Sequence, residues 1–331
     1  MKQNYYQYIR GLCILMVLLI HTLYKTDSNY INFFNIALRR IINFTVPVFI
    51  FLAGYFTKYD NYKTFYSKKI RRLIIPLLVW KIIYAIIELI KRKPNIIGMI
   101  KTVLFGGFHL YYIIVLVLLV LITPLLINYI NKEKNKIRLY LPLIITLLYN
   151  IFITYYYIKT NHNFILYNYH IFGWFSYYYL GLLLNYKKIE INNKHLYIFC
   201  IIGLIITIIE GILIYKRLNY YDLATSQITI SNYIYSIIVC LIIKRNDNIL
   251  LKDNIISSFG DLSYGIYLSH ILVVSIIKKI VAYLDLNYYI NITLIYVLLI
   301  ITTYFTNTIY YKLQRRFKYG KNSRKKIMYR M

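Results

Sequence analysis

HLYYIIVLVLLVLITPLL, residues 109–126, runs for 18 positions without an Asp, Glu, Lys or Arg, and its reading decides the fold. A helix of about 20 apolar residues crosses the roughly 30 Å hydrocarbon core of a bilayer, and it satisfies its backbone N–H and C=O groups internally where no water can. The span drawn around this stretch covers 108–130. Working outward, comparable apolar runs recur at 9–24, 41–57, 73–90, 139–158, 170–186, 196–215, 228–243, 259–283 and 289–311. The expected fold is therefore all-α, a polytopic integral membrane protein of about ten transmembrane helices, with no second domain and no long loop left over.

Composition points the same way. Of the 331 residues, 60% are hydrophobic and 15% charged, against about 45–50% and 25% in soluble domains, and mean hydropathy is +0.54. A soluble enzyme is excluded. The net charge of +29, from 40 Lys and Arg against 11 Asp and Glu, would suggest nucleic acid in a soluble protein. Here the basic residues fall mostly in short loops between apolar runs, so the expected partner is the lipid bilayer and no nucleic acid. By side of the membrane, 26 of the 40 lie with the N-terminus and 12 opposite, while Arg10 and Lys81 lie inside spans. The positive-inside rule then puts both termini in the cytoplasm, with a transmembrane domain over 1–311 and a basic cytoplasmic tail over 312–331. The first run lacks a small-residue cleavage site after Leu19 and Ile20, so it stays as a membrane helix rather than leaving as a signal peptide. The 41 tyrosines accompany abundant Ile, Asn and Lys and carry no catalytic signal of their own. Cys13, Cys200 and Cys240 lie in separate apolar runs without metal-ligand spacing and read as reduced core residues.

Ionisable groups inside a membrane are costly, so each is a functional candidate by default. In IRGLCILMVLLIH (Ile9 to His21), Arg10 and His21 are separated by about 20° beyond three full turns and about 16 Å of rise. They line one stripe of one helix, a fixed cation near the cytoplasmic end and a titratable imidazole in the outer half. The plainer reading is a snorkelling interfacial arginine and a histidine satisfied by a neighbouring hydroxyl. His109 opens the fourth span on the outer side, level with His21, and His270 lies deeper in the ninth, where it must find a partner. Glu88 and Glu210 are acids inside spans. Either pairs with a membrane cation such as Lys81 or with a histidine, and the sequence does not choose.

The order of several motifs resembles the acyltransferase 3 family of integral membrane acyltransferases. Arg10 and His21, with Gly11 after the arginine, resemble its first-helix signature. VPVFIFLAGYF (Val46 to Phe56) resembles its second-helix motif, with Ala53 in place of the usual serine. KKIRRLIIPLLVW (Lys68 to Trp80) resembles the basic approach to its third helix, with Lys69 and Arg72 at the spacing of a paired-arginine motif. The stretch at 109–126 and SYGIYLSH (Ser263 to His270) resemble its fourth and penultimate helices. Coverage is nearly the whole chain. The resemblance implies transfer of an acyl group, expected to be acetyl, from cytoplasmic acyl-CoA to a hydroxyl of a cell-surface polysaccharide or its lipid-linked precursor. It implies a bacterial plasma membrane, no metal, and acetyl-CoA as a donor substrate rather than a resident cofactor.

Residue chemistry assigns the roles. A sugar hydroxyl is a poor nucleophile at neutral pH, and a neutral imidazole is the commonest group able to take its proton, so His21 is the candidate general base. The motif match adds His109, which would orient the base or bind the acceptor. Arg10, with Lys68, Lys69, Arg71 and Arg72, offers cationic donors for the phosphates of CoA, although plain positive-inside topology also accounts for that cluster. His270 and Glu88 are candidates for holding substrate, and for His270 a packing hydrogen bond is an equal reading. A transporter or flippase for a lipid-linked glycan is the competing class. Pro47, Pro76, Pro94, Pro124 and Pro142 all lie in the first half of the chain, which counts against the paired halves common in transporters.

Overall fold

The structure is a computed structural model that describes residues 2–92, 110–160, 162 and 167–328, with side chains over 4–90 and from 110 to 312 within them. The described residues form helices and turns, without a strand. In chain order the longer helices are α1 (Lys2–Thr22), α2 (Asn29–Ile42), α3 (Thr45–Tyr55), α4 (Tyr62–Lys69), α5 (Ile75–Arg92), α6 (Tyr111–Lys132), α7 (Ile144–Thr160), α8 (Phe175–Tyr186), α9 (Leu196–Leu218), α10 (Ile230–Arg245), α11 (Ile255–Val281) and α12 (Tyr288–Met328). Every apolar run in the sequence coincides with one of them. Among the described residues, seven stretches are both long and apolar enough to cross a membrane: Asn29–Tyr55, Tyr62–Ile90, Tyr111–Lys132, Lys136–Thr160, Leu196–Leu218, Ile255–Leu284 and Tyr288–Lys312. The remaining runs fall on α1, which begins on the polar KQNYYQY, and on α8 and α10, which have 12 and 16 residues.

The largest departure from the sequence reading is α2. Residues 25–40 were expected to be a loop, but Ser28 caps a helix there, its Oγ accepting from the Ile31 N–H at 3.4 Å. This helix runs almost directly into α3. Arg39 and Arg40, counted as loop charges, are helical residues, and Arg40 is fully buried.

The chain divides into two compact units, Met1–Leu23 with Leu250–Met331, and Tyr24–Ile249. In the first, Asn254 and Ser257 form a reciprocal capping box that starts α11. Asn4 Nδ2 donates to Leu251 O at 3.4 Å near the start of both helices, and α1 and α11 run in the same direction. They cross where glycine meets backbone: a Cβ on Gly11 would stand 1.8 Å from Ile256 O, and one on Gly260 1.9 Å from Gln7 O. Such small-residue crossings are how membrane helices gain close packing when lipid removes the hydrophobic drive between them. α12 joins through Tyr296 Oη, which donates to Leu15 O at 3.2 Å, and Asn307 Nδ2, which donates to Ser269 Oγ at 3.2 Å.

In the second unit α3 and α8 pack closely, and α8 is buried from Phe175 to Leu184. The hydroxyl of its Tyr178 lies 2.8 Å from Thr123 Oγ1 of α6 and 3.4 Å from Thr57 Oγ1, just beyond α3. These buried tyrosines are core residues with satisfied hydroxyls. A five-residue π-helical turn, Ile70–Ile74, joins α4 to α5.

Candidate active site

The parallel course of α1 and α11 brings two histidines of the sequence reading together. The rings of His21 and His270 stand with centroids 4.8 Å apart at 56°. His270 is fully buried, and its Nδ1 lies 2.7 Å from Tyr267 O. A carbonyl only accepts, so Nδ1 carries the proton and Nε2 holds the lone pair of the neutral ring. His21 is half-buried one residue before the end of α1. Lys278 Nζ donates to His21 O at 2.8 Å, placing a cation on a helix C-terminal carbonyl that has no partner within its own helix.

Arg10 lies on the same stripe of α1 as His21. Its Nη1 donates to Gln7 Oε1 at 3.4 Å. About 16 Å further along α1, His21 meets His270 of the facing helix α11. Arg10 and His21 are the stripe expected from their spacing, and the structure adds the helix that faces it.

The other predicted site residues belong to the second unit. Lys69 Nζ donates to Thr57 Oγ1 at 3.3 Å and lies 5.5 Å above the Phe65 ring. With Tyr66, Leu73 and Leu121 it lines a mostly apolar cavity of about 490 Å³. Arg71 and Arg72 are exposed on the π-helical turn, a rare distortion that re-aims side chains and often marks functional positions. Glu88 is half-buried on α5, the helix that also buries Lys81. His109 lies outside the described residues.

Three further charged residues take settings that the sequence left open or passed over. Glu210 pairs with a cation the sequence reading had left in a loop: Arg40 Nη1 stands 3.2 Å from its Oε2. Lys278, counted among the outer-side charges, is in the last turn of α11. Asp261 lies inside the predicted span 259–283 yet was not named among the membrane acids.

A family model described as an acyltransferase domain, Acyl_transf_3, matches residues 3–311. A protein of Staphylococcus aureus (strain Mu50) named "Probable poly-beta-1,6-N-acetyl-D-glucosamine export protein" is 24% identical over 286 residues, covering 80% of this chain and 80% of that protein. No solved structure matches.

Proposed function

Because the chain belongs to the acyltransferase 3 family, whose model spans nearly all of it, we propose that this protein is a membrane O-acetyltransferase. It moves an acetyl group from cytoplasmic acetyl-CoA to a hydroxyl of a cell-surface polysaccharide or its lipid-linked precursor. It sits in a bacterial plasma membrane with about ten spans and both termini inside. The relative's printed name suggests a polymer of N-acetylglucosamine as the acceptor. The observation that carries the reading is the pairing of His21 with His270 on the stripe that begins at Arg10.

In this mechanism Arg10 holds a phosphate of CoA, and the exposed Arg71 and Arg72 with Lys69 draw the anionic donor to the cytoplasmic side. The rise of about 16 Å from Arg10 to His21 is of the order of an extended pantetheine arm, so a donor anchored at one end delivers its thioester to the other. His21 takes the proton of the acceptor hydroxyl as its oxygen attacks the thioester carbonyl. The C–S bond breaks, the thiolate of CoA leaves, and the imidazolium returns the proton to it, giving the ester and CoA–SH. His270, with Nδ1–H committed to Tyr267 O, holds the ring of His21 in place.

The test uses purified protein, acetyl-CoA and a β-1,6-linked N-acetylglucosamine oligomer, with ester and free thiol read by mass spectrometry. His21→Gln keeps volume and a hydrogen-bonding end but takes no proton near neutral pH, so ester formation should fall about a hundredfold or more at unchanged expression. The base works only as neutral imidazole, so the wild-type rate should fall once acid protonates it. A His21→Gln rate close to wild type would remove His21 from the mechanism. Export of a glycan is the second reading, favoured by the relative's printed name. It replaces the first if the protein restores surface glycan to a deletion strain with no ester on the product.

A further inference from the structure

Between α9 and α10 the chain leaves helical order over residues 219–229, NYYDLATSQIT, apart from the single turn Tyr221–Ala224. Asn219 opens this segment in the left-handed region, φ 47°. Its carbonyls are held by side chains from three directions. Arg40 Nε donates to Ala224 O at 2.7 Å, and Arg39 Nη2 to Thr225 O at 3.3 Å. Asn43 Nδ2 donates to Thr225 O and Ser226 O at 3.1 and 3.0 Å, Asn232 Nδ2 to Gln227 O at 2.8 Å, and Asn150 Nδ2 to Thr229 O at 2.9 Å. Arg40 is anchored in turn by Glu210. Buried backbone carbonyls need partners, and two arginines and three asparagines supply them to this one short segment.

What the clamp holds in place is Gln227, half-exposed while Ser226 and Ile228 on either side are buried. Tyr111 Oη donates to Gln227 Oε1 at 3.2 Å. That contact fixes the amide, because only its oxygen accepts, and leaves Nε2 as the donor that faces away. The Tyr111 ring lies 5.6 Å from the Trp174 ring at 32° and 6.1 Å from the Tyr169 ring at 62°. Tyr169 Oη is buried and has no hydrogen-bond partner among the described residues, and the same holds for Oδ1 of Asn43, Asn150 and Asn232. An amide donor thus stands beside aromatic faces, with the Tyr169 ring next to that of Tyr111. The flanking Arg39 and Arg40 disfavour a cation here. An amide donor beside aromatic faces suits a polyol with apolar ring faces, whose hydroxyls both donate and accept.

We propose that Gln227, Tyr111 and Tyr169 form a subsite for one neutral sugar unit of the acceptor glycan, built on the clamped segment 219–229. The charge count assigns the start of the fourth span, the loop before the sixth and the loop after the seventh to the outer side, where a surface glycan arrives. The inference takes its ligand class from the proposed acyltransfer.

The experiment separates the two. Equilibrium binding of the β-1,6-linked N-acetylglucosamine oligomer to the purified full chain is measured by calorimetry without acetyl-CoA, and ester formation is measured against oligomer concentration at saturating acetyl-CoA. Gln227→Ala should weaken oligomer binding and raise its KM about tenfold, the scale of one lost hydrogen bond to an uncharged group, with KM for acetyl-CoA and kcat unchanged. Tyr169→Phe removes only the hydroxyl and keeps the ring, so it should fold like wild type and weaken binding severalfold. It decides the matter if Gln227→Ala does not fold. Wild-type oligomer affinity in both variants, or in Tyr169→Phe alone if it is the variant that folds, overturns the subsite. Oligomer binding that these variants weaken, without any ester from the wild type, leaves the subsite standing and sinks the acyltransfer.

Discussion

Arg10 offers a sharper test than its charge suggests, because lysine keeps the charge and loses the planar fork that grips a phosphate in two places. If the guanidinium holds CoA, Arg10→Lys should raise the KM for acetyl-CoA roughly tenfold, worth about 1.4 kcal/mol, while the protein inserts normally. An unchanged KM would leave Arg10 as a topology anchor. The Arg10–His21 stripe was legible in the sequence because both residues ride one helix, and helix geometry alone fixes their relation. His270 was legible only as an imidazole in need of a partner. That its neighbour is His21 depends on how α1 and α11 cross, which hydropathy does not encode. Arg40 shows the opposite failure: two adjacent arginines look like a loop to a rule that scores apolar runs, yet a half-buried carboxylate and a set of carbonyls hold one of them inside.

At the scale of helices the crossing of α1 and α11 is the most exposed point of the architecture. Gly260→Ala puts a methyl carbon where the backbone already stands, 1.9 Å from Gln7 O, and a main-chain oxygen does not swing aside as a side chain does. The helices must separate, at a cost of about 1–3 kcal/mol or more for overpacking, and the registry of His21 with His270 goes with them. Thermal stability and ester formation should both fall although Gly260 touches neither histidine. Gly203→Ala is the control, since its added carbon would meet nothing nearer than 3.5 Å, and it should behave as wild type. Gly203→Ala as damaging as Gly260→Ala would show that the close approach is not what matters. Helix existence was well read from apolar runs, and helix ends less so: α8 starts at Phe175 rather than 170 because a 3-10 turn over Ile171–Gly173 precedes it. α2 escaped because its apolar residues are interleaved with Asn and Arg, and its start rests on a single Ser28 cap.

For the whole molecule the open quantity is the number of crossings, and its parity decides where the tail lies. Ten spans return the C-terminus to the side of the N-terminus, whereas the seven long apolar stretches alone would leave it opposite. Short helices cross a bilayer when neighbours cover their ends, and α8 is buried along most of its length, so its 12 residues are no obstacle. Polar contacts within each unit favour the even count, since they join segments that the charge count assigns to one side. On the outer side Lys278 meets His21 O and Tyr111 meets Gln227. On the cytoplasmic side Lys187 Nζ donates to Glu133 O at 3.1 Å, and Tyr59 N to Tyr186 Oη at 3.1 Å. The charge count, 26 on the side of the N-terminus against 12 opposite, favours the same order through the positive-inside rule. Epitope tags at the two termini should therefore both resist protease added outside intact cells, reporters fused after Asn61 and Asn192 should report cytoplasm, and one after Asn161 the exterior. A C-terminal tag cut from outside while the N-terminal tag survives would make the count odd and reverse every side assignment after the first departure from the ten-helix order.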